Sequence, residues 1–162
     1  MRVIISGSFD PITRGHLDLV LRCQQIFGEV VIAVGANSTK NHLFTPAERL
    51  DLARQTVAHL QGVQVAPITG LLVDIARTYE CDAIVRGLRF AGDFEYELQM
   101  AHINKHISGI ESVFLPADSR WGTISSSMMR EIAHHGGDIS DFVTEDVNRA
   151  ILAKVATESD PD

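Results

Sequence analysis

The chain has 162 residues, 45% of them hydrophobic, which suits one domain with a full core and calls for no second. A net charge of -7 excludes a general nucleic-acid binder, whose phosphate contacts need a basic surface, so any anion site must be a local basic pocket. The chain opens directly into an apolar β-branched run and holds no apolar stretch long enough to cross a bilayer, so we expect a soluble, cytoplasmic protein without a signal peptide or membrane contact.

Val3 to Ile5 read as a short strand, stopped by Gly7 and Pro11. Apolar residues then recur at helical spacing (Leu17, Val20, Leu21) in a helix ending near Phe27-Gly28. The connecting Gly7-Ser8-Phe9-Asp10-Pro11 is either a plain turn or a loop offering backbone N–H groups to an anion. In the second case His16, near the helix start, can donate to a bound phosphate. Glu29 to Gly35 form a continuous β-branched run, as in strands buried on both faces, and lead into a polar loop carrying Lys40. Thr45-Pro46-Ala47-Glu48 spells a capping box with proline at the first helical position, opening a helix to about His59. Cys23 and Cys81 sit in apolar-periodic contexts without ligand spacing and read as reduced thiols rather than a disulfide or zinc site.

Val63 to Pro67 form a third strand, and Gly70 to Ala76 start a third helix. The fourth strand, Asp82 to Arg86, ends in Gly87-Leu88-Arg89, two arginines around a glycine in an acidic chain. Asp93 to His106 read as one long helix with an acidic first turn and an apolar face of Phe94, Leu98, Met100, Ala101 and Ile103. His102 and His106 have a spacing that can bind zinc, but no carboxylate or cysteine between them completes a site, so a solvated or subunit-contacting pair is expected. Glu111 to Pro116 form the fifth strand. Beyond it, Ser125-Ser126-Ser127 precede a helical pattern, an N-cap by default that could also hold the distal phosphates of a nucleotide, with Arg130 one turn on. A last helix runs from about Thr144 to Ala156, and 157–162 is expected to be a disordered tail outside a single domain of residues 1–156.

Strands alternating with helices through short loops predict an α/β protein with a doubly wound five-stranded parallel sheet. Its basic and small-residue clusters all follow strand carboxyl ends, the ligand edge of such sheets. The absence of Gly-x-Gly-x-x-Gly after the first strand argues against a redox dinucleotide binder.

Taken together, Gly7 to Pro11 with Thr13-Arg14-Gly15-His16, Arg86-Gly87-Leu88-Arg89, Asp93-Phe94-Glu95-Tyr96-Glu97 and Ile124 to Ser127 resemble the phosphopantetheine adenylyltransferases, a family within the nucleotidylyltransferase superfamily. The resemblance runs from residue 2 to about 155. The Arg-Gly-Leu-Arg and Asp-Phe-Glu-Tyr-Glu segments are its most specific part. It implies a Rossmann-like nucleotidylyltransferase fold and AMP transfer from ATP to 4′-phosphopantetheine with Mg²⁺, in a homohexamer inhibited by coenzyme A. No residue is singled out as a metal ligand.

By the same resemblance ATP would meet Ser8, Phe9, His16, Gly87, Leu88, Arg89 and Glu97, and Trp121, Gly122, Thr123, Ile124, Ser125, Ser126 and Ser127. Phosphopantetheine would meet Ser8, Lys40, Leu72 and Arg86, while His16, Lys40 and Arg89 would serve the chemistry. Two positions depart from the family pattern: Ser6 stands where proline is usual, and Ser8 where threonine is common. Serine at position 8 keeps the hydroxyl, so activity is expected to survive.

Overall fold

A computed structural model of the chain describes residues 1–36 and 42–158. Within them five strands, β1 (Arg2–Gly7), β2 (Glu29–Gly35), β3 (Val63–Ile68), β4 (Ala83–Leu88) and β5 (Glu111–Pro116), form one all-parallel sheet in the order β3-β2-β1-β4-β5. The connecting helices are α1 (Arg14–Phe27), α2 (Pro46–Val57), α3 (Leu72–Thr78) and α4 (Ala91–Ser108), with α5 (Ser126–His134) and α6 (Glu145–Glu158) following β5. The expected α/β class and doubly wound sheet are both present. Strand and helix limits differ from the sequence reading by up to three residues, the largest shift being at α1, which begins at Arg14 rather than near Leu17. Arg14, Gly15 and His16 account for that shift, because the apolar spacing does not register a first turn without apolar residues.

The period-two geometry of a strand sends alternate residues to opposite faces, and both faces of the central strands are apolar. Val3, Ile5, Val30, Ile32, Val34 and Val85 pack against α1, α2, α5 and α6 through Val20, Cys23, Ala53, Met129 and Ile151. On the other face, Ile4, Val31, Ala33, Ala66 and Ile84 pack against Val73, Ile75 and Ala76 of α3. Each fully buried aliphatic side chain contributes roughly 1.5–3 kcal/mol, so β1, β2 and β4 anchor the domain.

The α4 helix departs from expectation. No residue of it is buried, and Phe94, Tyr96, Ile103 and Ile107 are exposed, so its predicted apolar face does not enter the core of this chain. Phe94 makes only an edge contact with Phe114 of β5, ring centroids 5.7 Å apart. His102 and His106 are both exposed on this helix. Cys23 and Cys81 are buried free thiols, and burial pushes each up to about 11, where neither is a thiolate at neutral pH. Among the described residues no helix is long and apolar enough to cross a membrane.

The sheet order positions the site. From β1 the chain winds outward through β2 to β3, then crosses back to β4 and winds the other way to β5. The direction reverses between β1 and β4, and at such a switch point the two connections leave the sheet on opposite sides and open a crevice at the strands' carboxyl ends. Ser6 to Phe9 and Arg86 to Arg89 lie on its two banks.

Candidate active site

The crevice is a cavity of about 490 Å³, within the range that holds a nucleotide-sized ligand. Its floor is the loop leaving β1. Gly7 leaves room there for the Phe9 ring, which folds back over the strand end: a Cβ would stand 3.1 Å from its Cζ, a tight contact that the ring would have to yield to. Phe9 itself is buried with φ 48, a left-handed conformation that a bulky residue adopts only when its surroundings enforce it. On the opposite bank a Cβ at Gly87 would meet Leu19 of α1 at 3.0 Å, so glycine lets the end of β4 approach that helix.

Burial and hydrogen bonding fix the floor from below. Asp10, 1% exposed, accepts the backbone N–H groups of Leu43 and Phe44, each at 2.9 Å, and pairs with Arg130 at 3.2 Å. Arg130 also donates to the carbonyl of Asp10 at 2.5 Å. Arg49 of α2, also 1% exposed, donates to the carbonyls of Ser8 (2.7 Å), Gly35 (2.6 Å) and Phe44 (3.2 Å). One buried guanidinium thus ties the ends of β1 and β2 to the start of α2. Desolvation pulls its affinity for a proton down, the nearby Asp10 charge opposes this, and the group stays a cation. Sequence reading missed both Asp10 and Arg49. Their partners lie up to 120 positions away, so although Asp10 falls within the quoted Gly7 to Pro11 segment, nothing local marks either residue as a buried ion.

His16 occupies the third position of α1 and completes a capping box with Thr13. The Thr13 hydroxyl faces the His16 backbone N–H at 3.4 Å, and the Thr13 backbone N–H donates to His16 Nδ1 at 3.0 Å. A backbone N–H can only donate, so Nδ1 must be the unprotonated nitrogen and the proton sits on Nε2. The ring packs edge-on against Phe9, centroids 5.0 Å apart. Burial first, and then the positive charge of Arg89, lower its pKa from 6.5 to about 4. His16 is therefore a neutral hydrogen-bond donor in the crevice, not a cation.

Arg86, at the end of β4, is clamped. Nε and Nη2 each donate at 2.6 Å to the two carboxylate oxygens of Glu97 on α4, and Nη1 donates to the carbonyl and hydroxyl of Ser6 at 3.0 and 2.6 Å. Arg89 is looser, 42% exposed in its side chain and 3.4 Å from Asp93. Across the crevice α5 presents its N-terminus. Ser125 caps the Met128 N–H, and Ser125 and Ser127 hydroxyls lie 3.1 Å apart. The Ser126 hydroxyl donates to the carbonyl of Pro11 at 2.7 Å and so fastens this helix to the β1 loop. Ser126 and Ser127 open the helix, where backbone N–H groups have no preceding carbonyl and suit an anion.

The crevice thus brings together Ser8, Phe9, His16, Arg86, Gly87, Arg89 and Glu97 with Trp121 and Ile124 to Ser127. Leu88, Gly122 and Thr123 adjoin these residues but do not line the cavity. Leu72 stands apart at the start of α3, packed on the second core cluster. Lys40 lies outside the described residues. Asp18 and Arg22 of α1 line the crevice without having been singled out from sequence. Among the described residues no three His, Cys, Asp or Glu side chains are grouped to hold a metal ion.

A parallel sheet with anion-directed groups at its switch point defines a nucleotide-handling α/β protein, and residues 4–132 match the family model described as cytidylyltransferase-like. A solved structure from Vibrio parahaemolyticus, provisionally named a nicotinate-nucleotide adenylyltransferase, shares the fold at a TM-score of 0.68. Its sequence identity is 20%, over 97% of this chain and 95% of that one. Two curated relatives are far closer in sequence. The phosphopantetheine adenylyltransferase of Cutibacterium acnes is 53% identical over 151 residues, 93% of this chain and 96% of its own. That of Nocardioides sp. is 47% identical over 155 residues, 96% of this chain and 98% of its own. The chain belongs to the phosphopantetheine adenylyltransferase family.

Proposed function

We propose that this chain transfers the adenylyl group of ATP to 4′-phosphopantetheine, giving dephospho-coenzyme A and pyrophosphate. The observation that carries the reading is convergence. Neutral His16 from α1, Arg86 from β4 and the open N-terminus of α5 face one crevice, in a chain matching this family over nearly its whole length.

The chemistry suits these groups. An oxygen of the acceptor phosphate attacks the α-phosphorus of ATP, a new P–O bond forms, and the bond to the β-phosphate oxygen breaks as pyrophosphate leaves. The nucleophile is already an anion, so neither a general base nor a covalent intermediate is required, and catalysis reduces to positioning and charge stabilisation. In this proposal His16 Nε2–H donates to the α-phosphate as negative charge builds there. Arg86 and Lys40 align the acceptor phosphate, with Ser8 and Leu72 contacting the acceptor. Arg89 and the Ser126 and Ser127 N–H groups receive the pyrophosphate. Phe9, Gly87, Leu88, Glu97 and Trp121 to Ser125 complete the ATP side.

Mg²⁺ fits this site as a companion of the nucleotide, since it binds through phosphate oxygens and water and needs few protein ligands. It would neutralise and align the triphosphate. Coenzyme A, which contains the product's diphosphate and pantetheine arm, would compete for the same crevice. The exposed apolar residues of α4 supply surface that neighbouring copies in a homohexamer would cover. Two buried, reduced thiols support a cytoplasmic setting.

The test compares 4′-phosphopantetheine, nicotinamide mononucleotide and a phosphorylated alcohol as acceptors, each with ATP and with CTP. Dephospho-coenzyme A formed from ATP, with the other combinations at least about 10²-fold slower, is the expected result. A faster reaction with another acceptor or with CTP refutes the assignment.

A further inference from the structure

We infer that Ser6 is a further ligand for the acceptor's phosphate, acting beside Arg86 and holding that arginine's fork in place. The inference rests on the proposed reading that Arg86 faces the acceptor. Arg86 has five N–H donors, and four are already committed: two to Glu97, two to the carbonyl and hydroxyl of Ser6. Only the second N–H of Nη2 is left for a ligand among the described contacts. A lone N–H is a poor grip on a phosphate, for which arginine normally offers two.

Ser6 supplies what is missing. Its hydroxyl oxygen accepts from Arg86 Nη1 at 2.6 Å, and among the described residues no acceptor takes the hydroxyl's own proton. Ser6 lines the same cavity as Arg86, at the carboxyl end of the strand next to β4. A hydroxyl that accepts from a guanidinium becomes a stronger donor, because hydrogen bonds in series polarise one another. The remaining Arg86 N–H and the Ser6 O–H therefore form a two-point donor set for two oxygens of a single phosphate. Proline, the usual residue here in the resembling family, could keep the carbonyl contact to Arg86 but has no hydroxyl to offer. This chain thus carries a specificity-determining contact of its own.

The experiment uses Ser6→Ala, Ser6→Thr and Arg86→Ala in the full chain, with melting curves to confirm folding. Initial rates give KM for 4′-phosphopantetheine and for ATP separately, and calorimetry compares binding of 4′-phosphopantetheine with unphosphorylated pantetheine. Ser6→Ala should raise the acceptor's KM about 10-fold, the loss of one hydrogen bond to a charged group, with KM for ATP unchanged. It should cut the preference for the phosphorylated ligand by a similar factor, and Ser6→Thr should restore both. A merely structural role would shift the melting curve or both KM values together, without touching the phosphate preference. If Arg86→Ala weakens acceptor binding and Ser6→Ala does not, the Ser6 assignment is overturned while the placement of the acceptor stands. If neither substitution affects the acceptor, the placement fails and Ser6 falls with it.

Discussion

Replacing His16 by glutamine removes its titration while keeping an acceptor for the cap of α1 and a neutral donor in the crevice. Glutamine at the third helical position can still accept the Thr13 N–H and preserve the capping box, so stability at pH 7 should change little. Below neutrality the two proteins should diverge. The folded-state pKa of His16 lies at about 4 against the ordinary 6.5, so between these values the unfolded chain binds a proton that the folded chain refuses. Stability from this group is complete above pH 6.5, is lost as pH falls through the window, and is fully lost below about 4. At 1.36 kcal/mol per pH unit the span is worth roughly 3 kcal/mol, which partial exposure of the ring trims to about 2 kcal/mol.

Urea denaturation at pH 7 and pH 4.5 reads the difference directly. The native protein should lose about 1–2 kcal/mol more than His16→Gln on acidification. Turnover of His16→Ala, which leaves no donor there, should fall at pH 7 about 10²-fold to 10³-fold, the usual cost of one donor aimed at developing charge. Nitrogen NMR of the ligand-free protein should show the proton on Nε2 down to about pH 5. An imidazole titrating between pH 6 and 7, or protonated on Nδ1, refutes the reasoning.

The buried charges under the β1 loop yield further expectations. Asp10→Ala strands the Leu43 and Phe44 N–H groups and leaves Arg130 unpaired, so chemical denaturation should report a loss of about 3–5 kcal/mol. Arg49→Met leaves the carbonyls of Ser8, Gly35 and Phe44 without their donor and should cost about 2–4 kcal/mol. Amide exchange should speed up at the ends of β1 and β2 before it does at β5. Chelation of Mg²⁺ with EDTA should abolish turnover, with recovery on adding Mg²⁺ back, and leave the melting temperature of the ligand-free chain unchanged. A drop in that melting temperature would mean a structural metal instead.

How legible the fold was depended on where the information sits along the chain. β2 was plain because six consecutive apolar or small positions, Val30 to Gly35, have no amphipathic alternative, and α2 because Thr45, Pro46 and Glu48 announce its start within four residues. The capping box of α1 escaped notice because its third residue is histidine, which caps through Nδ1 as glutamate does through a carboxylate. The apolar residues read from sequence as one face of α4 are spread around the helix, Phe94 and Ile103 exposed and Leu98, Met100 and Ala101 half-buried, so the expected core face does not form. Of the candidate residues in the crevice, His16, Arg86, Arg89 and the serines at the start of α5 were readable from the residues themselves, whereas Phe9, Glu97 and Trp121 came only with the family resemblance. Arg49 and Asp10 came with neither, since a buried ion can be recognised only from partners brought close by the fold.

The central claim is that donor and acceptor phosphates meet between the ends of β1 and β4. A crystal structure with dephospho-coenzyme A bound tests this most directly, because that product holds both halves joined. The account predicts its diphosphate within hydrogen-bond reach of His16 Nε2, the pantetheine-side phosphate against Arg86, and the adenosine toward Trp121 and α5. A product seated elsewhere, or with its diphosphate remote from His16, would contradict it.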